Sequence, residues 1–328
     1  MEKLKVGVIG TGHLGKLHVK MFKNIENCDC IGVFDTNLIQ SQAAANEFKV
    51  NYFENEEELL KSVDAVSIAV TTSAHFDVAN RCLEMGKHIF IEKPITSTID
   101  QAGKLVKLAD EKNLNLQVGH IERFNPALVS LEKYISNPVF IETDRLSQFN
   151  PRGTDVAVVL DLMIHDIDII LSFIKSDIKR IDANGVAVVS DNVDIANARI
   201  QFENGAVANV TASRISQKKM RKMRIFQKDT YIALDFVTGV SEVYRLLQVD
   251  ENVLSGISFG EIGVGEKKKR LIYEQPQVKE INALQYELQL FVNSVLQKTK
   301  PLISGEDGLR ALRVAEKIIK KIEESKIA

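Results

Sequence analysis

The sequence predicts an α/β chain of two domains: a doubly wound parallel sheet, followed by an α+β domain with a large, mostly antiparallel open sheet. Apolar and amphipathic runs alternate up to about residue 120. After residue 178, strand-like runs follow one another with little helix between them. The length of 328 residues suits about two domains. The expected domains are 1–120 and 121–328, and the C-terminal helix is free to pack back on the first.

In the first half, short apolar runs alternate with helical patterns. Such runs are typical of parallel strands that are buried on both faces. Strands are predicted at 4–9, 30–35, 64–70, 87–91 and 115–118. Helices are predicted at 13–24, 38–48, 56–60, 73–85 and 98–112.

The second half begins with a strongly apolar helix at about 154–174. Strands are predicted at 179–189, 193–202, 205–214, 221–227, 230–236 and 241–248, with a type I′ turn at Asn204-Gly205. The Gly-rich residues 251–268 are predicted to form a surface loop. Two helices end the chain, and Ser304 caps the second with Asp307 in the box position.

The first apolar run ends in a glycine-rich turn, Gly10-Thr11-Gly12-His13-Leu14-Gly15. Gly10 permits the tight turn, Gly12 lets a pyrophosphate approach the backbone, and Gly15 lets the helix pack closely on the strand. The N–H groups that begin the helix attract phosphate. The motif therefore predicts a dinucleotide site. The alternative is a sheet of this kind that has lost its ligand.

An acidic residue, Asp35, ends the second apolar run 20 residues after Gly15. A carboxylate there accepts hydrogen bonds from a ribose 2′-hydroxyl and repels a 2′-phosphate. Thr36 and Asn37 follow it and bring no positive charge. The predicted cofactor is therefore NAD rather than NADP.

The composition excludes several other classes of protein. The formal net charge of −2 argues against a broad electrostatic contact with nucleic acid. No apolar run approaches the ~20 residues of a membrane span, and no secretory signal pattern begins the chain. Cys28, Cys30 and Cys82 fit a reducing compartment. Cys28 and Cys30 have no matching second pair, so they are interpreted as packing residues rather than half a metal site.

Glu92-Lys93-Pro94 follows the fifth predicted strand. Ligands of open α/β sheets bind beyond the carboxyl ends of the strands, so Glu92 and Lys93 are candidates to reach the nicotinamide. The proline fixes the backbone, and Lys93–Pro94 is a candidate cis peptide bond. The alternative is a surface ion pair at the end of a strand.

Asp161 and His165 lie four residues apart in the apolar helix and so share one face. A carboxylate beside a histidine orients the imidazole and raises its basicity, as a general base requires. The alternatives are a buried histidine that only satisfies its own hydrogen bonds, or two ligands of a metal site. No third ligand is evident, so no metal is predicted.

The expected domain joint contains Gly119-His120-Ile121-Glu122-Arg123-Phe124-Asn125-Pro126. Arg123 is a candidate to bind a phosphate or carboxylate with both of its terminal nitrogens. The alternative is a hinge whose charges hold the domains together. The basic residues between Lys218 and Arg224 are interpreted as a solvated face.

These features together resemble the Gfo/Idh/MocA family of NAD(P)-dependent oxidoreductases over essentially the whole chain. The marks are the glycine turn at 10–15, His18, His75, Glu92-Lys93-Pro94, Asp161 with His165, and the stretch from Pro301 to Gly305. The resemblance implies a Rossmann domain, a larger domain whose open sheet forms homodimers or homotetramers, and hydride transfer at a secondary hydroxyl of a sugar or polyol. One departure is Thr71-Thr72-Ser73, where the family often has Thr-Pro.

The resemblance implies roles for particular residues. Lys93, Asp161 and His165 match the catalytic residues of the family. Arg123 and Asn125 are expected to bind substrate. The residues expected to bind NAD are Gly10, Gly12, His13, Leu14, Gly15, Asp35, Thr71, His75, Glu92 and Lys93.

The stretch from Gly119 to Ala127 resembles the subgroup that acts on UDP-N-acetylglucosamine and related nucleotide sugars. The expected function is therefore a cytoplasmic, NAD-dependent nucleotide-sugar dehydrogenase with no nucleic-acid or membrane partner. The alternatives are a dehydrogenase of free sugars or inositol, or a non-catalytic protein that senses a sugar or cofactor.

Overall fold

The computed structural model describes residues 3–150, 156–251 and 255–326. The chain forms two compact units. The first contains the residues up to Phe124 together with Asn282–Arg313. The second contains Asn125–Ile281 and the chain from Val314 onward. Each unit is built on one β-sheet.

The first sheet has six parallel strands in the order β3-β2-β1-β4-β5-β6. They are β1 (Leu4–Ile9), β2 (Cys28–Phe34), β3 (Asn51–Tyr52), β4 (Ala65–Ile68), β5 (His88–Glu92) and β6 (Leu116–Gly119). This order is that of a doubly wound dinucleotide-binding sheet. The predicted parallel sheet is confirmed, and the two-residue β3 is the one strand of this sheet that was not predicted.

Five helices connect these strands: α1 (His13–Phe22), α2 (Leu38–Phe48), α3 (Glu56–Ser62), α4 (Thr72–Glu84) and α5 (Ile99–Glu111). Side chains cap the N-termini of some of these helices. The Oδ1 atom of Asn37 accepts a hydrogen bond from the Gln40 N–H at 3.2 Å, and the hydroxyl of Thr98 accepts one from the Gln101 N–H at 3.3 Å. Each cap satisfies an N–H that the first helical turn leaves unpaired.

A helix from late in the chain, α8 (Ala283–Leu296), completes the core of the first unit. Its Leu288, Phe291 and Val292 are fully buried in the same cluster as Val6 and Phe22. Burying an aliphatic or phenyl side chain stabilises a fold by roughly 1.5–3 kcal/mol. The first unit therefore depends on residues that lie more than 150 positions after β6.

The second sheet has nine strands in the order β14-β15-β13-β12-β11-β7-β10-β9-β8. Neighbours are antiparallel except β7 and β10, which run parallel. The strands are β7 (Phe140–Leu146), β8 (Ile178–Val186), β9 (Ile195–Phe202), β10 (Val207–Ser213), β11 (Met220–Gln227), β12 (Thr230–Asp235), β13 (Val240–Gln248), β14 (Ile257–Ile262) and β15 (Lys269–Glu274). The predicted large, mostly antiparallel sheet is confirmed.

In the second half, β7 and β15 were not predicted, and two of the predictions are wrong. The surface loop predicted at 251–268 contains strand β14; residues 252–254 of that prediction lie outside the described residues. The turn at Asn204-Gly205 is not type I′, because Gly205 has φ = +87° whereas Asn204 is not among the residues with positive φ. The Gly205 N–H donates to the carbonyl of Phe202, as in a type I turn followed by a left-handed glycine.

The remaining helices are short, apart from the last. They are α6 (Pro126–Val129), α7 (Ile164–Phe173) and α9 (Gly305–Lys326). A π-helical segment, Val159–Met163, leads directly into α7. The predicted helix at 154–174 is thus part π-helix, and its residues 154 and 155 lie outside the described residues. Over the ranges described, no helix is both long enough and apolar enough to cross a bilayer.

Candidate active site

The glycine turn before α1 leaves no room for side chains at two of its three positions. A Cβ on Gly10, whose φ is +92°, would lie 2.5 Å from the carbonyl oxygen of Ala69. A Cβ on Gly15 would lie 1.8 Å from the carbonyl oxygen of Gly10. At Gly12, nothing lies within 4 Å of such a Cβ. Gly10 and Gly15 are therefore needed for packing, and Gly12 faces the open space in which a pyrophosphate would fit.

Gly15→Ala is expected to destabilise the first unit by about 3 kcal/mol or more and to abolish NAD binding, because the new methyl overlaps a backbone carbonyl. Thermal unfolding and NAD titration would measure both effects. Gly103→Ala in α5 is the matched control. Nothing lies within 4 Å of its Cβ, so this helical substitution should not destabilise the protein. Similar unfolding temperatures for the two variants would contradict the packing role of Gly15.

The start of α1 is suited to an anion. No side chain of a described residue caps it, and its first turn carries no acidic residue. His13 and Leu14, which begin the helix, are exposed. Backbone N–H groups and the positive end of the helix dipole are thus available to a phosphate at this point.

Asp35 follows β2 and is held by Thr11, which lies between the glycines. One carboxylate oxygen accepts hydrogen bonds from the Thr11 N–H at 2.6 Å and from the Thr11 hydroxyl at 2.9 Å. The other oxygen accepts a hydrogen bond from the Asn37 N–H at 2.9 Å. Thr11 is fully buried, whereas Asp35 is partly exposed. The carboxylate is therefore fixed in place and remains accessible to a ribose.

Asp35→Ala is expected to weaken NAD binding about tenfold to a hundredfold and to raise the NADP/NAD affinity ratio. The variant loses charge-assisted hydrogen bonds to ribose and the repulsion of a 2′-phosphate. Equilibrium titration with each cofactor measures both quantities. Asp29→Ala, at the other end of β2 and paired only at the surface with Lys3, is the control. Unchanged NAD affinity in Asp35→Ala would refute the ribose contact.

Lys93 directly follows β5, and its peptide bond to Pro94 is cis. The Lys93 N–H donates to a carboxylate oxygen of Glu92 at 3.3 Å. His75 of α4 is buried, with Nδ1 2.9 Å from the Pro94 carbonyl oxygen and Nε2 3.3 Å from that of Val70. Burial lowers the pKa of His75, although these backbone contacts oppose the shift. His75 thus contacts the backbone next to Lys93. Thr71, which precedes the first residue of α4, is exposed.

Asp161 and His165 lie on the partly exposed stripe of a segment that is otherwise mostly buried. Asp161 is in the π-helical segment, and His165 is in the first turn of α7. Ile164 and Ile167 have no exposed surface, whereas Asp161 and His165 are partly exposed. π-Helical segments inside helices are frequent at functional sites. The second unit therefore presents a carboxylate and an imidazole from one segment.

A buried ion pair fixes α7 against the second sheet. Arg145 of β7 donates to both carboxylate oxygens of Asp166, each at 2.8 Å. Both side chains are about 2% exposed. Because Asp166 directly follows His165, this pair restrains the rotation of the helix that carries the candidate base.

The two predicted substrate-binding residues have structural partners within their own units. Nη2 of Arg123 lies 3.8 Å from a carboxylate oxygen of Asp307. Oδ1 of Asn125 accepts a hydrogen bond from the Ala127 N–H at 3.1 Å, and its amide donates to the Phe236 carbonyl at 3.3 Å. Asn125 thus caps α6. Substrate binding by Arg123 and Asn125 stays a prediction.

Sequence reasoning gave no role to Thr11 or Arg145. The role of Thr11 could have been predicted, because a hydroxyl between the glycines is placed to reach Asp35, which follows β2. That of Arg145 could not, because its partner Asp166 lies 21 residues away in another element.

Burial raises the pKa of the Cys30 thiol to about 12, which fits an unreactive thiol. The described residues hold no group of three or more His, Cys, Asp or Glu side chains placed for a metal ion.

The residues of the first unit fit a dinucleotide. The open space at Gly12, the uncapped start of α1 and the fixed carboxylate of Asp35 suit a pyrophosphate and a ribose in turn. Glu92 and Lys93 lie at the carboxyl end of β5, two strands away from β1 in the same sheet, at the edge where ligands of such sheets bind.

Comparison with known families identifies the class of protein. Residues 4–120 match an oxidoreductase family with an NAD-binding Rossmann fold, and residues 137–232 match the GFO/IDH/MocA C-terminal domain. The chain therefore belongs to the Gfo/Idh/MocA family of NAD-binding oxidoreductases. The predicted family, enzyme class and cofactor are confirmed.

Individual relatives cover the whole chain. The chain is 35% identical to a UDP-N-acetylglucosamine 3-dehydrogenase of Acidithiobacillus ferrooxidans, over 98% of each sequence. The solved structure of that enzyme, GnnA, matches with a TM-score of 0.88 over 99% of each chain. A myo-inositol 2-dehydrogenase of Thermotoga maritima is 22% identical over 98% of this chain and 97% of its own.

Proposed function

We propose that this protein oxidises a secondary ring hydroxyl of a nucleotide sugar, at carbon 3 of UDP-N-acetylglucosamine, with NAD as the hydride acceptor. The observation that carries the proposal is the 35% identity to the UDP-N-acetylglucosamine 3-dehydrogenase of Acidithiobacillus ferrooxidans, over 98% of both chains. In this proposal residues 1–120 bind the cofactor, and residues 121–328 bind the sugar.

The proposed chemistry divides among three side chains. His165 removes the proton of the hydroxyl as a general base. Lys93 stabilises the negative charge that develops on the oxygen. Asp161 orients the imidazole or accepts a hydrogen bond from the sugar. The hydrogen on carbon 3 would leave as hydride to bound NAD, which is the chemistry that this cofactor supplies, and the sugar would become a ketone.

A substrate panel tests the proposal. The purified protein is incubated with NAD and, separately, with UDP-N-acetylglucosamine, other UDP-sugars, free sugars and myo-inositol, and NADH is followed by its absorbance. We expect the highest kcat/KM with UDP-N-acetylglucosamine. Turnover of myo-inositol with none of any UDP-sugar would overturn the proposal and favour the inositol alternative, which the Thermotoga maritima relative supports more weakly.

We also propose that the chain acts in the cytoplasm as a homo-oligomer whose copies meet at the second sheet. Its cysteines are unpaired, which suits a reducing compartment. Six aromatic rings on six neighbouring strands form a continuous series, with adjacent ring centres 4.8 to 5.8 Å apart. They are Phe140, Phe226, Tyr231, Tyr244, Tyr273 and Phe259. Partly exposed aromatic rings are enriched at interfaces.

The charges beside this aromatic series also suit a second copy of the same face. Arg224 lies 2.8 Å from Glu142, and Lys222 lies 3.8 Å from Asp235. A face with both signs of charge complements itself about a twofold axis.

Tyr231→Asp is expected to convert the oligomer into monomers, because a charge would be buried among apolar rings. Light scattering after size-exclusion chromatography measures the mass. Lys104→Asp, which places the same charge on the exposed surface of α5, is the control and should keep the assembly. An unchanged mass for Tyr231→Asp would contradict an interface on this face.

A further inference from the structure

His18 of α1 is fully buried and lies between two polar side chains. Its Nδ1 atom is 2.7 Å from the hydroxyl oxygen of Ser67 at the end of β4. Its Nε2 atom is 3.0 Å from a carboxylate oxygen of Glu92 at the end of β5. With its proton on Nε2, the ring presents an N–H to the Glu92 carboxylate, 3.0 Å away, and its Nδ1 atom accepts a hydrogen bond from the Ser67 hydroxyl. An ionised carboxylate can only accept, so Glu92 favours the tautomer with the proton on Nε2, and the Ser67 hydroxyl serves as the donor to Nδ1.

The carboxylate of Glu92 is about 13% exposed, and its neighbours leave it little freedom. Glu92 pairs in register with Gly119 of β6, and a Cβ on Gly119 would lie only 3.1 Å from the oxygen that faces His18. The ring of Phe90 packs edge-on against His18 at 5.5 Å between centres. The second carboxylate oxygen accepts a hydrogen bond from the Lys93 N–H. An alanine at 119 would press on this carboxylate and on the ring of Phe90.

Glu92 carries a negative charge at neutral pH. Burial raises the pKa of its carboxyl group, but the contacts with His18 and Lys93 outweigh burial and hold the pKa below its ordinary value. A buried carboxylate that stays ionised exerts a stronger field than one in water, because little solvent screens it.

The position of this charge suggests its use. Glu92 directly precedes Lys93 at the carboxyl end of β5, the edge at which such sheets bind their ligands. The nicotinamide ring of NAD carries a positive charge in its oxidised form and none in its reduced form. A fixed negative charge at that edge therefore favours the oxidised cofactor over the reduced one.

We propose that His18, oriented by Ser67, is a positioning residue that holds the Glu92 carboxylate at the nicotinamide edge and thereby sets the relative affinity of the protein for NAD⁺ and NADH. The proposal rests on the proposed function only in placing the nicotinamide beside Lys93. It assigns His18 no contact with substrate or cofactor.

Two substitutions at position 18 separate the two contacts of the ring. His18→Gln places an amide nitrogen near the position of Nε2 and keeps a donor for Glu92. His18→Asn places its amide near Nδ1, so it keeps a partner for Ser67 and leaves Glu92 without its donor. Glu92→Gln removes the charge with little change of shape. The dissociation constants of NAD⁺ and NADH are measured without any sugar, by calorimetry and by NADH fluorescence.

We expect the ratio of the NADH to the NAD⁺ dissociation constant to fall about tenfold in Glu92→Gln and in His18→Asn. In His18→Gln the ratio should stay within about twofold of the parent value. Equal ratios in the Gln and Asn variants at position 18, or an unchanged ratio in Glu92→Gln, would overturn the proposal.

Should His18→Asn fail to fold, Gly119→Ala replaces it, because its methyl would press on the same carboxylate. It should shift the ratio in the same direction, and an unshifted ratio would overturn the proposal. These measurements use no sugar substrate. A failed substrate panel with a shifted ratio would thus refute the proposed function alone, and the reverse result would refute this inference alone.

Discussion

Replacing Lys93 by methionine is expected to lower kcat by about a hundredfold or more and to leave NAD binding within about threefold of the parent protein. The ammonium group is the residue proposed to stabilise the oxyanion, and losing one such donor costs about 2.7–4 kcal/mol of transition-state stabilisation. Methionine keeps the length of the side chain. Steady-state kinetics with the best sugar substrate, together with NAD titration, measure the two quantities.

Lys87→Met is the matched control for Lys93. Lys87 immediately precedes β5, at the opposite end of that strand, and its ammonium group donates to the Val63 carbonyl at 2.8 Å. This variant should lose some stability and keep its kcat. A near-normal kcat for Lys93→Met, or an equal loss in both variants, would show that the ammonium at the end of β5 does not act on the reacting oxygen.

His165→Gln is expected to lower kcat by about a hundredfold to ten-thousandfold, because general-base catalysis contributes that much and an amide cannot take up the proton. The acid limb of the pH profile of kcat/KM should disappear with the imidazole. Asp161→Asn should have a smaller effect on kcat, because Asp161 acts through His165 or through a hydrogen bond to the sugar. Steady-state kinetics of both variants and of the parent protein across a range of pH measure kcat and the pH profile of kcat/KM.

His88→Gln serves as the control for His165. His88 begins β5, and its Nδ1 atom accepts a hydrogen bond from the Asn115 N–H at 2.9 Å. Its loss should change the unfolding temperature and leave the pH profile intact. If His165→Gln kept the acid limb of the profile, another group would have to be the base.

Most of the first unit could be predicted because its signals are local. The buried strands are short apolar runs, and the glycine turn and Asp35 have a fixed spacing along the chain. The start of α2 at residue 38 was predicted correctly, since Asn37 caps it. β3 was missed because two exposed residues, Asn51 and Tyr52, leave no pattern.

Two strands of the second unit that escaped prediction, β7 and β14, depend on a distant partner and on exposure. β7 has the sequence FIETDRL, in which Arg145 is buried only because Asp166 meets it from α7. β14 is exposed at every position, so no alternation marks it. Sequence patterns report burial along one element and do not show which charge will be neutralised by another.

In the candidate site, too, some features could be predicted from the sequence and others could not. The glycines, Asp35, Lys93 and the spacing of Asp161 and His165 are visible in the sequence. The contact between His18 and Glu92 is not, because 74 residues separate them. Such contacts arise from the order of strands in the sheet, which places β4 beside β1 and β5 beside β4, so that Ser67 and Glu92 both reach His18 of α1.

The central claim is hydride transfer from the ring of a nucleotide sugar to NAD, and an isotope label tests it most directly. UDP-N-acetylglucosamine carrying deuterium at carbon 3 is incubated with the protein and NAD, and the reduced cofactor is analysed by mass spectrometry. We expect one deuterium in each NADH formed and a slower reaction than with the unlabelled sugar. Unlabelled NADH, or no NADH with this sugar, would contradict the claim.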